Sequence, residues 1–384
     1  MKTIVILLFA ALFIVSCEKG SSSDDPQNSE NVKIKGHFAT TKSAAVDATS
    51  ATQVVLFNSS GDFSTSPITN GSFTVNVKKD DPVGLIFTNE SKAFLGYLTL
   101  GQGVESLPLN FLNDTVSVVD LGQLTNNLQM VSAGNNILQK MQLTPSQIQA
   151  YGYASINFSA VIKNPDVDKN GIVDILENKY YHISFQYDGD GGWFSTTPTR
   201  TTITPDSYHI NFITKDQNTP ASVTFASPDG TLSKVSDSKM VNNQYTFFSL
   251  RMGFITPQFS SCKILYNSQS LFFDIPDQSG SLSNVVNVFP TFHYDASNRL
   301  TKISWEYYSG STNSIIDASK IILDVMVQIC GTDYSVRLNG QNNYVPEIKQ
   351  EVLTTPIELS KIGVINMAYN DLFGNHVVVY YRRQ

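Results

Sequence analysis

The sequence predicts a mainly β chain of tandem β-sandwich domains, with a short helical segment and one acidic loop between them. Three observations carry this reading. Short apolar runs with period-2 alternation recur along most of the 384 residues, and that period sends successive side chains to opposite faces of a strand. Aromatic residues are plentiful, 23 Phe and 17 Tyr, which suits half-buried strand positions. Charged residues make up only 15% of the chain, below the usual quarter or so, so Asn, Ser and Thr do much of the solvating. The formal charge of −7 comes without a basic stripe, which argues against nucleic acid or anionic lipid head groups as partners.

Residues 1–16 read as an export signal. Lys2 is its positive end, residues 4–15 are its apolar run, and the small Ser16 precedes Cys17. The run is too short to remain as a membrane span. Ile14-Val15-Ser16-Cys17 resembles a bacterial lipobox, which implies cleavage before Cys17 and lipidation of that cysteine. Residues 17–31 form a polar tether with Glu18, Asp24 and Asp25. This acidic run resembles the lipoprotein export signals of Bacteroidetes, which implies anchoring in the outer membrane and display at the cell surface.

Residues 32–124 predict one β-sandwich. Apolar runs at 32–37, 53–57, 73–77, 83–88, 94–100 and 116–121 are separated by turn signals, notably Asn70-Gly71. Both residues of that dipeptide tolerate positive φ. The order of opening strand, Val54 to Phe57, then Asn70-Gly-Ser-Phe73, resembles carboxypeptidase-regulatory (prealbumin-like) sandwiches. Such domains serve as spacers or interaction modules.

Residues 125–178 break the β pattern. Residues 136–141 carry apolar side chains at helical spacing, and Thr144-Pro145-Ser146-Gln147 predicts a capped helix start with proline in the first turn. Two short helices are expected here, with Ile137, Leu138, Met141 and Ile148 as packing residues. Residues 166–177 come next, and they match the twelve-residue EF-hand calcium loop at each constrained position. Asp166, Asp168 and Asn170 fall at positions one, three and five, where short oxygen side chains converge on a hard cation. Gly171 permits the sharp turn at position six, and Ile172 needs only its backbone carbonyl. Asp174 at position nine is expected to bind through water, and Glu177 at position twelve to close the site with both oxygens. An Asx-rich turn without metal would use the same residue types.

The resemblance to a full EF-hand ends with the loop. Asn164-Pro165 directly precedes Asp166, so an entering helix must stop or be absent. One helical turn is expected over 175–178, and no second loop is present to pair with Val173. The arrangement looks like the single calcium loops of dockerin or thrombospondin type 3 repeats, which implies Ca²⁺ acting as a structural clip. Its affinity is expected in the weak extracellular range, about 10⁻⁴–10⁻³ M.

Alternation returns at Tyr181, Ile183, Phe185 and Tyr187, with His182, Ser184 and Gln186 on the other face. The polar stretch 277–283 after Pro276 predicts a boundary. Two further immunoglobulin-like sandwiches are therefore expected at 179–277 and 278–384. Asp188-Gly-Asp-Gly-Gly192 reads as a tight turn between strands, and His182 and His209 as histidines facing each other on a solvated face. Cys262 and Cys330 are expected as two separate buried thiols.

The chain carries no His-Glu-x-x-His, nucleophile elbow or phosphate-binding glycine loop. The reading is a calcium-binding, lipid-anchored surface protein, a non-catalytic binding or scaffolding module with a protein or polysaccharide ligand. The alternative is a glycan-processing or other hydrolytic enzyme, or a carbohydrate-binding accessory lipoprotein. Trp193, Tyr307 and Tyr308 would be the aromatics that stack on sugars.

Overall fold

A computed structural model describes residues 31–38, 51–113, 115–193, 204–216, 218–229, 231, 233–241, 244–253, 261–275, 286–309, 314–331, 335–338 and 348–383. The export signal, Cys17 and the tether up to residue 30 lie outside the described residues, as does the polar stretch at 277–283; Asn31, expected as the tether's last residue, opens the first strand.

The chain is mainly β and forms several sheets. In the first sandwich, Asn31–Phe38 pairs antiparallel with Ser72–Lys78 and parallel with Val118–Asn127. The other layer is built on Gln53–Asn58, flanked by Phe63–Pro67 and Val83–Thr88, with Phe94–Thr99 beyond. Val32, Ile34 and Val75 of one layer pack with Val54, Leu56 and Leu85 of the other. The Phe87 ring meets Phe38 and Phe73 edge-on at 5.1 and 6.1 Å. Asn31–Phe38 alternates buried and exposed along its length, as period-2 patterning requires. Asn70 and Gly71, at φ 51° and 78°, turn the chain inside the Thr69–Ser72 bridge. Gln53–Asn58 and Val83–Thr88 are buried almost throughout, because their second face packs on helices. Val55, Phe57 and Ile86 belong to the core on that side, where Phe57 lies 5.6 Å from Phe158.

Three helices come next, one more than expected: α1 (Ile137–Lys140), α2 (Pro145–Ala154) and α3 (Ile156–Lys163). The predicted cap of α2 is a full capping box, with Gln147 N donating to Thr144 Oγ1 at 3.2 Å and Thr144 N to Gln147 Oε1 at 2.9 Å. Ser155 ends α2 and begins α3. Phe158 and Ile162 of α3 are fully buried, and the helix packs on both Val83–Thr88 and Tyr181–Trp193. It therefore joins the first sandwich to the C-terminal half.

The C-terminal half is built on an eight-stranded sheet in the order Ser238–Val241, Thr246–Gly253, Thr204–Thr214, Tyr181–Trp193, His376–Arg382, Ile362–Asp371, Ile322–Gly331 and Ser335–Leu338. Two four-stranded sheets pack into the same core. The first contains Thr224–Ala226, Ser261–Tyr266 and Gln269–Asp274, and its Tyr266 and Phe273 rings sit 5.4 and 5.9 Å from Phe212. The second contains Val286–Tyr294 and Arg299–Ser309, and its Phe292 ring lies 5.4 Å from Tyr381.

This topology corrects the expected division into sandwiches at 179–277 and 278–384. The two four-stranded sheets are separate, but both pack against the eight-stranded sheet, and that sheet is continuous. Tyr181–Trp193 pairs in parallel with His376–Arg382, from Gln186 opposite His376 to Trp193 opposite Arg382. A boundary at 277 would cut that pairing.

Several smaller expectations also change. Asp188–Gly192 is strand, not a turn between strands: it lies inside Tyr181–Trp193, with Asp188, Gly189 and Asp190 paired on both sides and a bulge before Trp193. Its glycines serve close approach, since a Cβ on Gly191 would meet the Tyr381 ring at 2.4 Å. His182 lies opposite Ile213, not His209, and is buried at 1% exposure with Nε2 3.1 Å from the Phe373 carbonyl. Tyr307 and Tyr308 are core residues, whereas Trp193 is exposed. Cys262 and Cys330 are both free; Cys262 is buried and Cys330 half-buried.

Candidate metal centre

The loop 166–177 is held between the two halves of the molecule by its backbone. Helix α3 ends at Asn164, so a short entering helix is present and stops where the proline demands. Phe272 N donates to the Val167 carbonyl at 2.8 Å, tying the loop to strand Gln269–Asp274. Val173 N donates to the Lys92 carbonyl at 3.1 Å, tying it to the first sandwich. Val167, Val173 and Ile175 are buried in the large core. A 3-10 turn at Asp174–Glu177 closes the loop, in place of the helical turn expected over 175–178.

Gly171 sits at φ 90°, a conformation for which a residue without Cβ is suited. The amides beyond the first aspartate turn inward: Asn170 N reaches Asp166 Oδ1 at 3.1 Å and Gly171 N reaches Asp166 Oδ2 at 2.9 Å. Ile172 N donates to Asn170 Oδ1 at 2.8 Å. Asp166, Asp168 and Asp174 each bring a carboxylate oxygen within 4.8 Å of the others.

Asp174 is the most deeply placed of the three, at 5% exposure. Its Oδ2 accepts from Val167 N at 2.8 Å, while its Oδ1 is buried without a hydrogen-bond partner. Burial pushes its carboxyl up to about 7; the Val167 amide opposes the rise, and the Asp168 and Asp166 charges add to it. An ionised carboxylate in such a place needs a cation or a proton. Position nine, where the motif suggests a water-mediated ligand, is thus a buried brace of the loop.

Glu177 stands apart from that trio. Its Oε2 accepts from Asn170 Nδ2 at 2.8 Å and from Lys179 Nζ at 3.0 Å. Lys179 also binds Asp168 Oδ2 at 2.7 Å. Burial works against the Lys179 charge, but the bonds from Asp168 and Glu177 outweigh it and hold its pKa above the usual lysine value. The ammonium therefore bridges two carboxylates of the loop. Motif reasoning passed over Lys179 because it lies beyond the twelfth position; a basic residue two places past a carboxylate-rich loop was the available signal.

A second polar arrangement was not legible in the sequence. Strand register lines up Arg251, His209, Gln186, His376, Asn370 and Asp324 across the eight-stranded sheet. Next to it, His209 Nε2 lies 3.5 Å from Asp188 Oδ2, and His209 Nδ1 lies 3.4 Å from Ser249 Oγ. Both distances exceed the roughly 2.6–3.2 Å over which a base takes a hydroxyl proton. Ser207 Oγ donates to Asp188 at 2.7 Å. Although burial would raise the Asp188 carboxyl, bonds from His209, Gln186 and Ser207 hold it below the usual carboxylate range.

No protein-family profile matches the chain, and no curated relative does. Among solved structures, a tetra-tandem repeat from the extending region of a large adhesion protein aligns over 92% of this chain and 74% of that one, at 9% identity and a TM-score of 0.17. A DUF3823 family protein from Bacteroides ovatus aligns over 64% of this chain and 97% of that one, at 8% identity and a TM-score of 0.16. The full ectodomain of mouse nectin-like molecule 4 aligns over 92% and 93%, at 7% identity and a TM-score of 0.15. Scores this low carry no argument about shared architecture or function.

Proposed function

We propose that the chain is a non-catalytic, lipid-anchored surface protein in which one calcium ion clips the first sandwich to the large sheet. The calcium reading rests on one observation above the rest: three carboxylates converge at 166, 168 and 174, and the deepest has a buried oxygen without a partner. Hard oxygen ligands at EF-hand spacing suit Ca²⁺ over softer metals. In this reading Asp166, Asp168, Asn170, the Ile172 carbonyl and Asp174 hold the ion, and Glu177 joins them after releasing Lys179. The backbone ties from Val167 to Phe272 and from Val173 to Lys92 give such an ion a structural role. The likeness to dockerin and thrombospondin type 3 loops, and the prealbumin-like order of the first sandwich, agree with a spacer that presents a binding face.

Anchoring rests on the Cys17 lipobox. Cys17→Ala is expected to abolish metabolic labelling with fatty acid and to release the protein from membranes. Protease added to intact cells is expected to degrade the mature chain. Unchanged labelling in the variant would remove the lipid anchor from this account, and full protection behind an intact outer membrane would remove surface display.

A further inference from the structure

A cavity lies away from the acidic loop, where the turn around Gly103 of the first sandwich faces α2, α3 and the end of strand Gln269–Asp274. Its volume is about 660 Å³, within the range of small-molecule sites, about 300–1,000 Å³. Its floor is a helical stripe: Pro145, Ile148, Gly152, Ile156 and Ala160 recur every three or four residues across α2 and α3. A solvated helix pair would carry polar residues on such a face. Gly152 leaves the floor open, since a Cβ there would meet nothing within 4 Å.

The polar lining is of a particular kind. Among the described residues Lys163 is the single cation on the wall, and it is paired with Glu105 at 2.9 Å. Asp274 adds a negative charge, so no surplus positive charge is present to hold a phosphate or carboxylate. Neutral groups that both give and take hydrogen bonds remain: the Gln102 and Gln149 amides and the Tyr153 hydroxyl, which accepts from Gln149 Nε2 at 3.2 Å. Ser159 also lines the cavity; it is 4% exposed, and its Oγ is buried without a partner. A buried hydroxyl left unbonded keeps its desolvation cost without return, and a ligand hydroxyl would satisfy it.

From this combination we propose that the cavity is a binding site for a neutral carbohydrate of one or two sugar rings. Such a ligand matches each feature. Its ring C–H face suits the apolar stripe, its hydroxyls act as both donor and acceptor toward Gln102, Gln149 and Ser159, and it brings no charge to upset the Glu105–Lys163 pair. The site is built from residues other than the calcium ligands, so it stands whether or not the loop takes a metal.

The test is isothermal titration of the full mature chain with maltose, cellobiose and xylobiose, and with digalacturonic acid as the anionic comparison. At least one neutral disaccharide is expected to give saturable heat, and the anionic one none. Gly152→Phe fills the cavity on an open helix face and is expected to weaken that binding by roughly tenfold or more. Ser159→Ala removes one neutral hydrogen bond and is expected to weaken it by roughly twofold to tenfold. Gln102→Ala, on an exposed turn, is expected to weaken it by a similar factor and serves if Gly152→Phe shifts melting by more than about 4 °C. Absence of heat with all three neutral sugars, binding of the anionic sugar alone, or neutral-sugar binding unchanged in folded variants would overturn the proposal. Calcium titration of the same samples reports on residues 166–177 separately.

Discussion

At the residue scale, Asp174 carries two roles that a motif cannot separate. Its Oδ2 accepts the Val167 amide in the core, and its backbone N and O bond the Pro165 carbonyl and the Lys179 amide. Asp174→Ala leaves the Val167 N–H buried and unpaired, which costs about 1–3 kcal/mol. Chemical denaturation in excess chelator at pH 4, where the Asp174 carboxyl is protonated in the fold and its buried charge no longer opposes the bond, is therefore expected to show Asp174→Ala clearly destabilised and Glu177→Ala close to wild type, since Glu177 is half-buried and bonds only side chains. In millimolar calcium both variants should lose the added stability that the ion gives wild type. Equal stability of the two variants in chelator would show that the Val167 bond has no weight.

His182 gives a second test at this scale. Burial lowers its pKa from 6.5 to about 4, against the Phe373 carbonyl, which favours the charged form. Because the folded value is depressed, the neutral ring's contribution is complete above pH 6.5 and is lost as pH falls toward 4. The loss by pH 4 is on the order of 3 kcal/mol. Stability measured from pH 7 to 4 is expected to fall more steeply in wild type than in His182→Gln. Parallel curves would contradict burial of a neutral ring.

Much of the loop was legible at this scale because the information is local: Asp166, Asp168, Asn170, Gly171 and Asp174 specify a turn by their own spacing. The burial of Asp174 was not, because it depends on Phe272 and Lys92 approaching from distant segments. Lys179 was missed for a related reason, being a partner of the motif and no part of it.

At the element scale, helix starts were readable and helix number was not. Thr144, Pro145 and Gln147 announce the start of α2, and each plays its expected part. The separate α3 escaped notice because Ser155 carries no side-chain cap bond at its start, so the break between helices rests on packing. Thr144→Ala is expected to cost about 1 kcal/mol, measured as a shift in denaturation midpoint at constant slope. No shift would mean that the cap is dispensable. Strand faces were readable where one side meets solvent, as in Asn31–Phe38. They misled at Tyr181–Trp193, where His182 and Ser184 are buried alongside Ile183 and Phe185, so alternation of polarity did not report alternation of exposure.

At the scale of the whole molecule, the mainly β class came from composition and period, but the joining of the last two sandwiches did not. Parallel pairing of Gln186 with His376 spans most of the C-terminal half and leaves no local signal, whereas Pro276 and its polar neighbours look like a boundary. Residues 179–277 expressed alone would expose the edge of Tyr181–Trp193 and part of the shared core. That fragment is expected to aggregate or to lack dispersed amide resonances, while the full mature chain folds. A monomeric, cooperatively folding 179–277 would restore the two-domain division.

The same scale sets the strength of the calcium clip. Helix α3 removes one reason for weak binding, since the chain enters the loop already ordered. Lys179 supplies another, because its ammonium must leave Asp168 and Glu177 before a divalent ion can take their oxygens. No second loop pairs with Val173 to stiffen the site. The most direct measurement is isothermal titration of the mature chain with calcium after exhaustive chelation, repeated for Asp166→Asn/Asp168→Asn. The account predicts one site with Kd about 10⁻⁴–10⁻³ M, lost in the double variant, together with slower proteolysis between 164 and 178 when calcium is present. No heat at 10 mM calcium, or heat that persists unchanged in the double variant, would contradict it.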